Sequence, residues 1–489
     1  MSDEGFNDDD VLEKELFGGD SDDADAMDMD VDGMLGMDAA DGLGINGDDQ
    51  PDTPAPEDAK DSAKDDATAD KPAVLPEADT AESTVGDTKV AAAAPKAQIE
   101  LDDPPGALTV LERPARAPSV PVSPSLATCA TYEITPTMAF LTTTSVHAVC
   151  ATDNMRWVFS GGSDGYIRKW DFFASVNGKQ MLTLGQRHAH VDSVTKGGVC
   201  ASYWDHVDAA TETAGEALSP VYSLAAHSEG MWVASGMRSG RIALWSVRHD
   251  EGRRVALLSK HDKPVSVLCK SPDEFGLVSG SWDRAALYWD LNCGRVARVF
   301  SGHTSQVSAV TWQPAAAGVT PRLMTTSIDG QCFLWDVRRP AADPPAEKYD
   351  PAVRTPPWAA AACWSADGRR LYVGRRNNTV DEYDVAMVGR PVRSLKLPMN
   401  SGPVTALAAM PNGRSLVCAS TDNVRMWDLQ APVDRRAVPF QIIPGHHGGC
   451  VSAVFVDCSG RYMLTMSGNR GWEGVSNNTC LGYQVTPPQ

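Results

Sequence analysis

One phrase recurs from about residue 132 to the end of this chain. It runs as an alternating apolar strand, a turn with Gly or Asn, and a second strand of small residues. Asp beside Gly or a polar residue follows, then a strand ending in an aromatic. The clearest copy is GHTSQVSAVTWQP at 302–314, continued by RLMTTSIDGQCFLWDVR at 322–338, and its neighbour occupies 260–292. Other copies close at 156–171, 231–248, 370–385 and 415–429, and a last one spans 451–485. The closing aromatics are Trp170, Trp245, Trp289, Trp335, Tyr383, Trp427 and Tyr483. Their successive spacings are 75, 44, 46, 48, 44 and 56 residues.

Four short strands per phrase, at a period near 45 residues, predict an all-β fold, a seven-bladed WD40 β-propeller covering 132–489. A single blade cannot cover both faces of its own sheet, so the blades must close into a ring. The strand-like YEITPTMAFL at 132–141 precedes the first phrase and is expected to complete the last blade, latching the ring. The long first spacing marks an insertion at about 172–219, and insertions in repeat proteins often carry binding.

Charge divides the chain. Residues 1–103 hold 32 of the 64 Asp and Glu but only 6 of the 43 Lys and Arg, a net of −26 that leaves +5 for the remainder. Such a segment has too little apolar surface to offset the entropy of ordering it, so 1–103 is expected to be a disordered acidic tail. It repels nucleic acid and favours basic proteins, which argues against direct sequence-specific DNA binding. The Pro-rich stretch 104–131 suits an extended linker. The 11 cysteines include no CxxC pair and read as buried, reduced thiols. No apolar run reaches membrane-spanning length and no leader is evident, so no membrane association is expected.

In the two best copies His261, Ser279, Asp283 and Trp289, and likewise His303, Thr325, Asp329 and Trp335, fall at matching intervals. A hydrolase triad uses the same residue types, but repetition with the blade period marks these sets as internal hydrogen-bond networks. Ser160, Asp164 and Trp170 form a partial set with Thr142 near the His position, and Ser239 stands where the second blade should have Asp. His188 with His190, and His446 with His447, lack nearby ligand partners, so no metal is expected. No Walker loop, nucleophile elbow or HExxH occurs; catalysis and cofactors are not expected.

Two features point to partners. In DDDVLEKELFGGDSDD at 8–23, Val11, Leu12, Leu16 and Phe17 share one helical face among acids. This LFG segment resembles short motifs that dock on TFIIS N-terminal-type helical bundles. On the propeller, the residue before each turn Asp should face one rim, which gives Arg238, Trp282, Ile328 and Arg376 as candidate anchors.

Several stretches exceed the generic repeat: YEITPTMAF at 132–140, RWVFSGGSDGYIRKWDFFASVNGK at 156–179, HAHVDSVTKGGVCASYW at 188–204, WSVRHDEG at 245–252 and SGHTSQVS at 301–308. Through them the chain resembles the fungal WD-repeat subunits of the SAGA histone-acetyltransferase coactivator, of the suppressor-of-Ty class. The resemblance implies a nuclear, non-catalytic scaffold that joins other SAGA subunits and engages TATA-binding protein at RNA polymerase II promoters. The acidic tail suits a partner whose DNA-binding surface is basic. An alternative from another class rests on WDVRR at 335–339, which matches the WDxR signature of substrate receptors in cullin-RING ubiquitin ligases.

Overall fold

The strand Gly276–Ser281, GLVSGS, is buried at every position, and so is Ser415–Ser420. Strands buried on both faces exist only where each sheet is covered on both sides. The computed structural model describes residues 116, 120–208, 217–314, 321–339, 343–352, 358–431, 439–468 and 478–488. Among them the strands form seven blades, each a meander whose strands we letter a to d outward from the ring axis.

Blade 1 contains Val146–Ala151, Trp157–Gly162, Tyr166–Asp171 and Val199–Asp205. Blade 2 runs from Ser223–Ala226 to Arg254–Ser259, blade 3 from Val265–Lys270 to Arg295–Phe300, and blade 4 from Val307–Trp312 to Glu347–Tyr349. Blade 5 runs from Ala359–Trp364 to Arg393–Lys396 and blade 6 from Val404–Ala409 to Phe440–Ile443. Each a strand packs against that of the next blade, and the last against the first. The apolar core is not one cluster but seven seams, each drawn from two neighbouring blades. No blade is therefore stable alone.

Ring closure follows the expected route. Blade 7 has Val451–Val456, Tyr462–Ser467 and Thr479–Thr486, and Glu133–Leu141 supplies its outer strand, antiparallel to Thr479–Thr486. Within the stretch 172–219, read from sequence as one insertion, Val199–Asp205 is the d strand of blade 1. The inserted material lies on both sides of it. Before it, residues 172–198 carry the short helices Phe172–Val176 and Leu184–Arg187, capped by Asp171 and Thr183. Lys196–Gly197 then pairs in parallel with Met138 and Ala139 of the closing strand, so the excursion is sewn to the seam. After it, Val207–Asp208 and Ala217–Leu218 pair as a small hairpin.

The linker is docked where it is described. Leu126, in the helix Pro124–Thr128, is buried in the seam of blades 6 and 7, and its carbonyl accepts from Tyr132 Oη at 2.8 Å. Arg116 pairs with Glu229 and, at 3.0 Å, with Glu274 on the a–b turns of blades 2 and 3. Glu274 is buried, which by itself raises its carboxyl, but hydrogen bonds from Lys270 and Ser228 outweigh this and hold it down at about 2. No described helix is long and apolar enough to cross a membrane. All 11 cysteines are unpaired, but Cys200 and Cys293 are exposed rather than buried: one lies on the outer edge strand of blade 1, the other in a c–d turn.

Candidate functional site

A buried indole N–H costs stability unless it finds an acceptor. In blade 3, Trp289 Nε1 donates to Ser279 Oγ at 2.8 Å, His261 Nε2 lies 2.8 Å from the same hydroxyl, and His261 Nδ1 lies 2.6 Å from Asp283. One proton assignment satisfies all of them: indole to hydroxyl, hydroxyl to Nε2, and Nδ1–H to the carboxylate. Burial pushes Asp283 up, but the His261 hydrogen bond outweighs it and holds the carboxyl below its usual range. Ser279 is 0% exposed, so its oxygen is closed to any substrate. The resemblance to a hydrolase triad is one of composition only.

The other blades vary this theme. In blade 4, Trp335 Nε1 and His303 Nε2 both lie 2.9 Å from Thr325 Oγ1, and Asp329 sits 3.4 Å from His303 Nδ1. Asp329, opposed by burial but held by His303 and by the backbone N–H groups of Gln331 and Thr304, falls to about 2. Blade 1 keeps the bond from Trp170 to Ser160 at 2.8 Å, while Asp164 turns to Arg168. Thr142 does not replace the missing His: its hydroxyl donates to Asn478 O at 3.5 Å.

Blade 2 shows why the sequence pattern broke there. Its Trp245 donates to Ser235 at 2.8 Å, and its histidine is His206, whose ring centroid lies 6.2 Å from that of Trp245. The hairpin separates His206 from strand a, which hid it from a spacing argument. Asp208, on the same hairpin, accepts the backbone N–H of Ser239 at 3.2 Å and so takes the place of the absent turn Asp. In blade 7, His446 Nε2 meets Thr465 Oγ1 at 2.6 Å, which gives the HisHis pair a structural role. Burial, with His447 and His190 nearby, pushes His446 down to about 4.

Blade 5 replaces the network outright. Arg375, fully buried, donates to Asp381 at 2.9 Å, to Gly330 O of blade 4 at 2.8 Å and to Tyr383 Oη at 2.7 Å. In blade 6, Cys418 occupies the register position of Ser279, and Trp427 Nε1 has no hydrogen-bond partner among the described residues.

Arg238, Trp282, Ile328 and Arg376 each follow the b strand of blades 2 to 5 at equivalent register, so they share one rim. Arg238 and Arg376 are exposed, while Trp282 and Ile328 are half-buried. Trp282 meets Tyr222 at 5.8 Å between centroids, and Arg376 stacks over Trp358 at 4.2 Å. Leu12, Leu16 and Phe17 lie outside the described residues. Arg338 of the WDVRR stretch pairs with Asp336 of its own turn at 2.9 Å, and Arg298 of blade 3 donates to the carbonyls of Asp336 and Arg339 at 2.7 and 2.6 Å. Blade packing accounts for that motif.

The HDEG stretch also acquires a structural reason. Glu251 reaches from blade 2 to the buried Lys169 of blade 1 and accepts from Ser202 Oγ at 2.7 Å. Gly252 has φ of +74°, and a Cβ there would lie 2.7 Å from Trp204 Cβ, so glycine is required. The two family-like features, this clamp and the excursion, both fasten blade 1 to its neighbours.

The described SPT8 beta propeller family model matches residues 132–323 and 319–486. The chain is 38% identical over 447 residues to SAGA complex subunit Spt8 of Schizosaccharomyces pombe, covering 76% of this chain and 83% of that protein. It is 32% identical to SAGA complex subunit SPT8 of Saccharomyces cerevisiae, covering 72% of each. Among solved structures, the RRP9 WD40 repeats superpose with a TM-score of 0.52 at 16% identity, over 72% of this chain and 100% of that one, a likeness of fold alone. With most of its length matched by this family and its repeats built as closed, buried networks, the chain belongs to the SPT8 β-propeller family, a non-catalytic kind of WD-repeat protein.

Proposed function

We propose that this chain is a non-catalytic scaffold subunit of a nuclear SAGA coactivator that engages TATA-binding protein and so regulates RNA polymerase II transcription initiation. The observation that carries the reading is the likeness to two SAGA complex subunits along most of the chain. The propeller is the platform, with Arg238, Trp282, Ile328 and Arg376 on one rim as partner anchors. The tail is the arm, whose net −26 complements the basic DNA-binding surface of TATA-binding protein and speeds encounter. Leu12, Leu16 and Phe17 offer a second contact, to a TFIIS-type helical bundle.

Affinity purification of the tagged chain from nuclear extract tests this. Acetyltransferase-complex subunits and TATA-binding protein should co-purify; a cullin adaptor in their place, or neither set, refutes it. Deleting residues 1–103 should leave assembly intact while weakening binding to TATA-binding protein and flattening its salt dependence. Unchanged affinity removes the tail from the contact.

A further inference from the structure

The a–b turns of blades 2 and 3 form a cation site that the chain itself fills. Arg116, upstream of the closing strand, brings its guanidinium to two carboxylates from two blades: Nη1 donates to Glu274 of blade 3 at 3.0 Å, and Nη2 to Glu229 of blade 2. Its backbone N–H donates to Pro272 O at 2.8 Å. Side chain and backbone of one arginine are thus both read. The planar guanidinium meets the two carboxylates with separate nitrogens, a fit that a compact ammonium does not match.

The site does not owe its shape to Arg116. Glu274 has φ of +64° at the turn position that is Gly230, Gly368, Gly413 and Gly460 in blades 2, 5, 6 and 7, and Met155 in blade 1. A side chain is strained in that conformation, and such strain persists only where the surroundings fix it. Here it places a buried carboxylate that accepts from Ser228 N–H at 3.1 Å, Ser228 Oγ at 2.7 Å and Lys270 at 2.8 Å. Lys270 also reaches Asp153 of blade 1 at 3.0 Å. All these bonds lie within the blades, so the carboxylate stays aimed with or without the linker.

Arg116 and Glu229, by contrast, are exposed, and exposed ion pairs add little stability. Downstream the linker has fastenings of its own: Ser123 N–H donates to Ser459 O at 3.2 Å, and Leu126 is buried between blades 6 and 7. Arg116 can therefore leave without undoing the fold. On the a–b turns of blades 1 to 3 and the side chains that reach them, four carboxylates (Asp153, Glu229, Asp273 and Glu274) face four cations (Arg116, Arg156, Arg248 and Lys270). Burial holds His227, beside Glu274, below its ordinary range and neutral. Departure of Arg116 leaves this face one cation short.

We propose that this is an arginine-binding site, that Arg116 is its resident internal ligand, and that an arginine-bearing segment of a partner protein takes the site by displacing it. The tether makes Arg116 a competitor at high effective concentration, so the site is guarded rather than closed. Nucleic acid is excluded by the carboxylates, which repel phosphate. The site lies at the other end of the b strands from the rim of Arg238, Trp282, Ile328 and Arg376, and like the acidic tail it suits a basic partner.

The test is fluorescence anisotropy on the full chain with a labelled peptide Pro-Ala-Arg-Ala-Pro, the sequence of residues 114–118, and its Lys and Ala counterparts. Arg116→Ala vacates the site, and this variant should bind the Arg peptide saturably, more tightly than the Lys peptide, with no binding of the Ala peptide. The unaltered chain should bind the Arg peptide about tenfold more weakly, because the tethered Arg116 competes. Adding Glu229→Gln to Arg116→Ala should cost about tenfold, the loss of one charge-assisted bond. Adding Asp262→Asn, an exposed acid at the other end of the blades, should change nothing. All three changed residues are exposed, and far-UV circular dichroism checks the fold. No binding by Arg116→Ala, equal affinity in the unaltered chain, equal affinity for the Lys or Ala peptide, or indifference to Glu229→Gln overturns the proposal. Co-purification with SAGA subunits is read separately, so losing this site leaves the broader function standing.

Discussion

Ser279→Ala probes what the blade 3 network contributes. The hydroxyl accepts the Trp289 indole N–H at 2.8 Å and lies 2.8 Å from His261 Nε2, all in a buried seam. Removing it orphans two polar groups, each costing roughly 1–3 kcal/mol when left buried without a partner. The expected loss is therefore about 2–6 kcal/mol. Ser160→Ala in blade 1 is the internal control, because there the hydroxyl serves Trp170 without a histidine; its loss should be about half as large. Denaturant melts followed by tryptophan fluorescence read both variants, with the slope unchanged. A loss below about 1 kcal/mol for Ser279→Ala, or equal losses for the two, would refute the claim that the histidine link adds stability.

Three further outcomes follow from the geometry. His446 is held neutral by burial, its folded value near 4 against an ordinary 6.5, so the unfolded chain takes up the proton first. Its contribution is complete above pH 6.5 and falls away by roughly 3 kcal/mol as pH drops to 4; His446→Gln should flatten that part of a melting-temperature profile, and an unchanged profile would disprove it. Arg375→Met strands the buried Asp381 and should cost about 3–5 kcal/mol, while adding Asp381→Leu should recover most of it in the same melts. Gly252→Ala forces a left-handed backbone and a contact with Trp204, so it should lower the melting temperature and raise hydrogen exchange in Val199–Asp205; wild-type exchange there would show that the clamp is not needed.

How much of this was written in the sequence depended on whether a residue's partners lie at a fixed distance along the chain. The blade number, the closing strand Glu133–Leu141 and the networks of blades 3 and 4 were legible because each is set by the repeat period and by local alternation. Spacing failed where a partner comes from elsewhere. His206 and Asp208 serve blade 2 across a hairpin, and Arg375 crosses to Gly330. Leu126 and Arg116, in a stretch that composition assigns to a linker, are fixed by blades that lie far along the chain. The sequence by itself determined the seven-bladed propeller and the charge division, because periodicity and composition are properties of the chain alone. Tertiary structure alone decided which residues complete the networks of blades 2 and 5, because hydrogen bonding in a closed ring joins residues that no local pattern brings together.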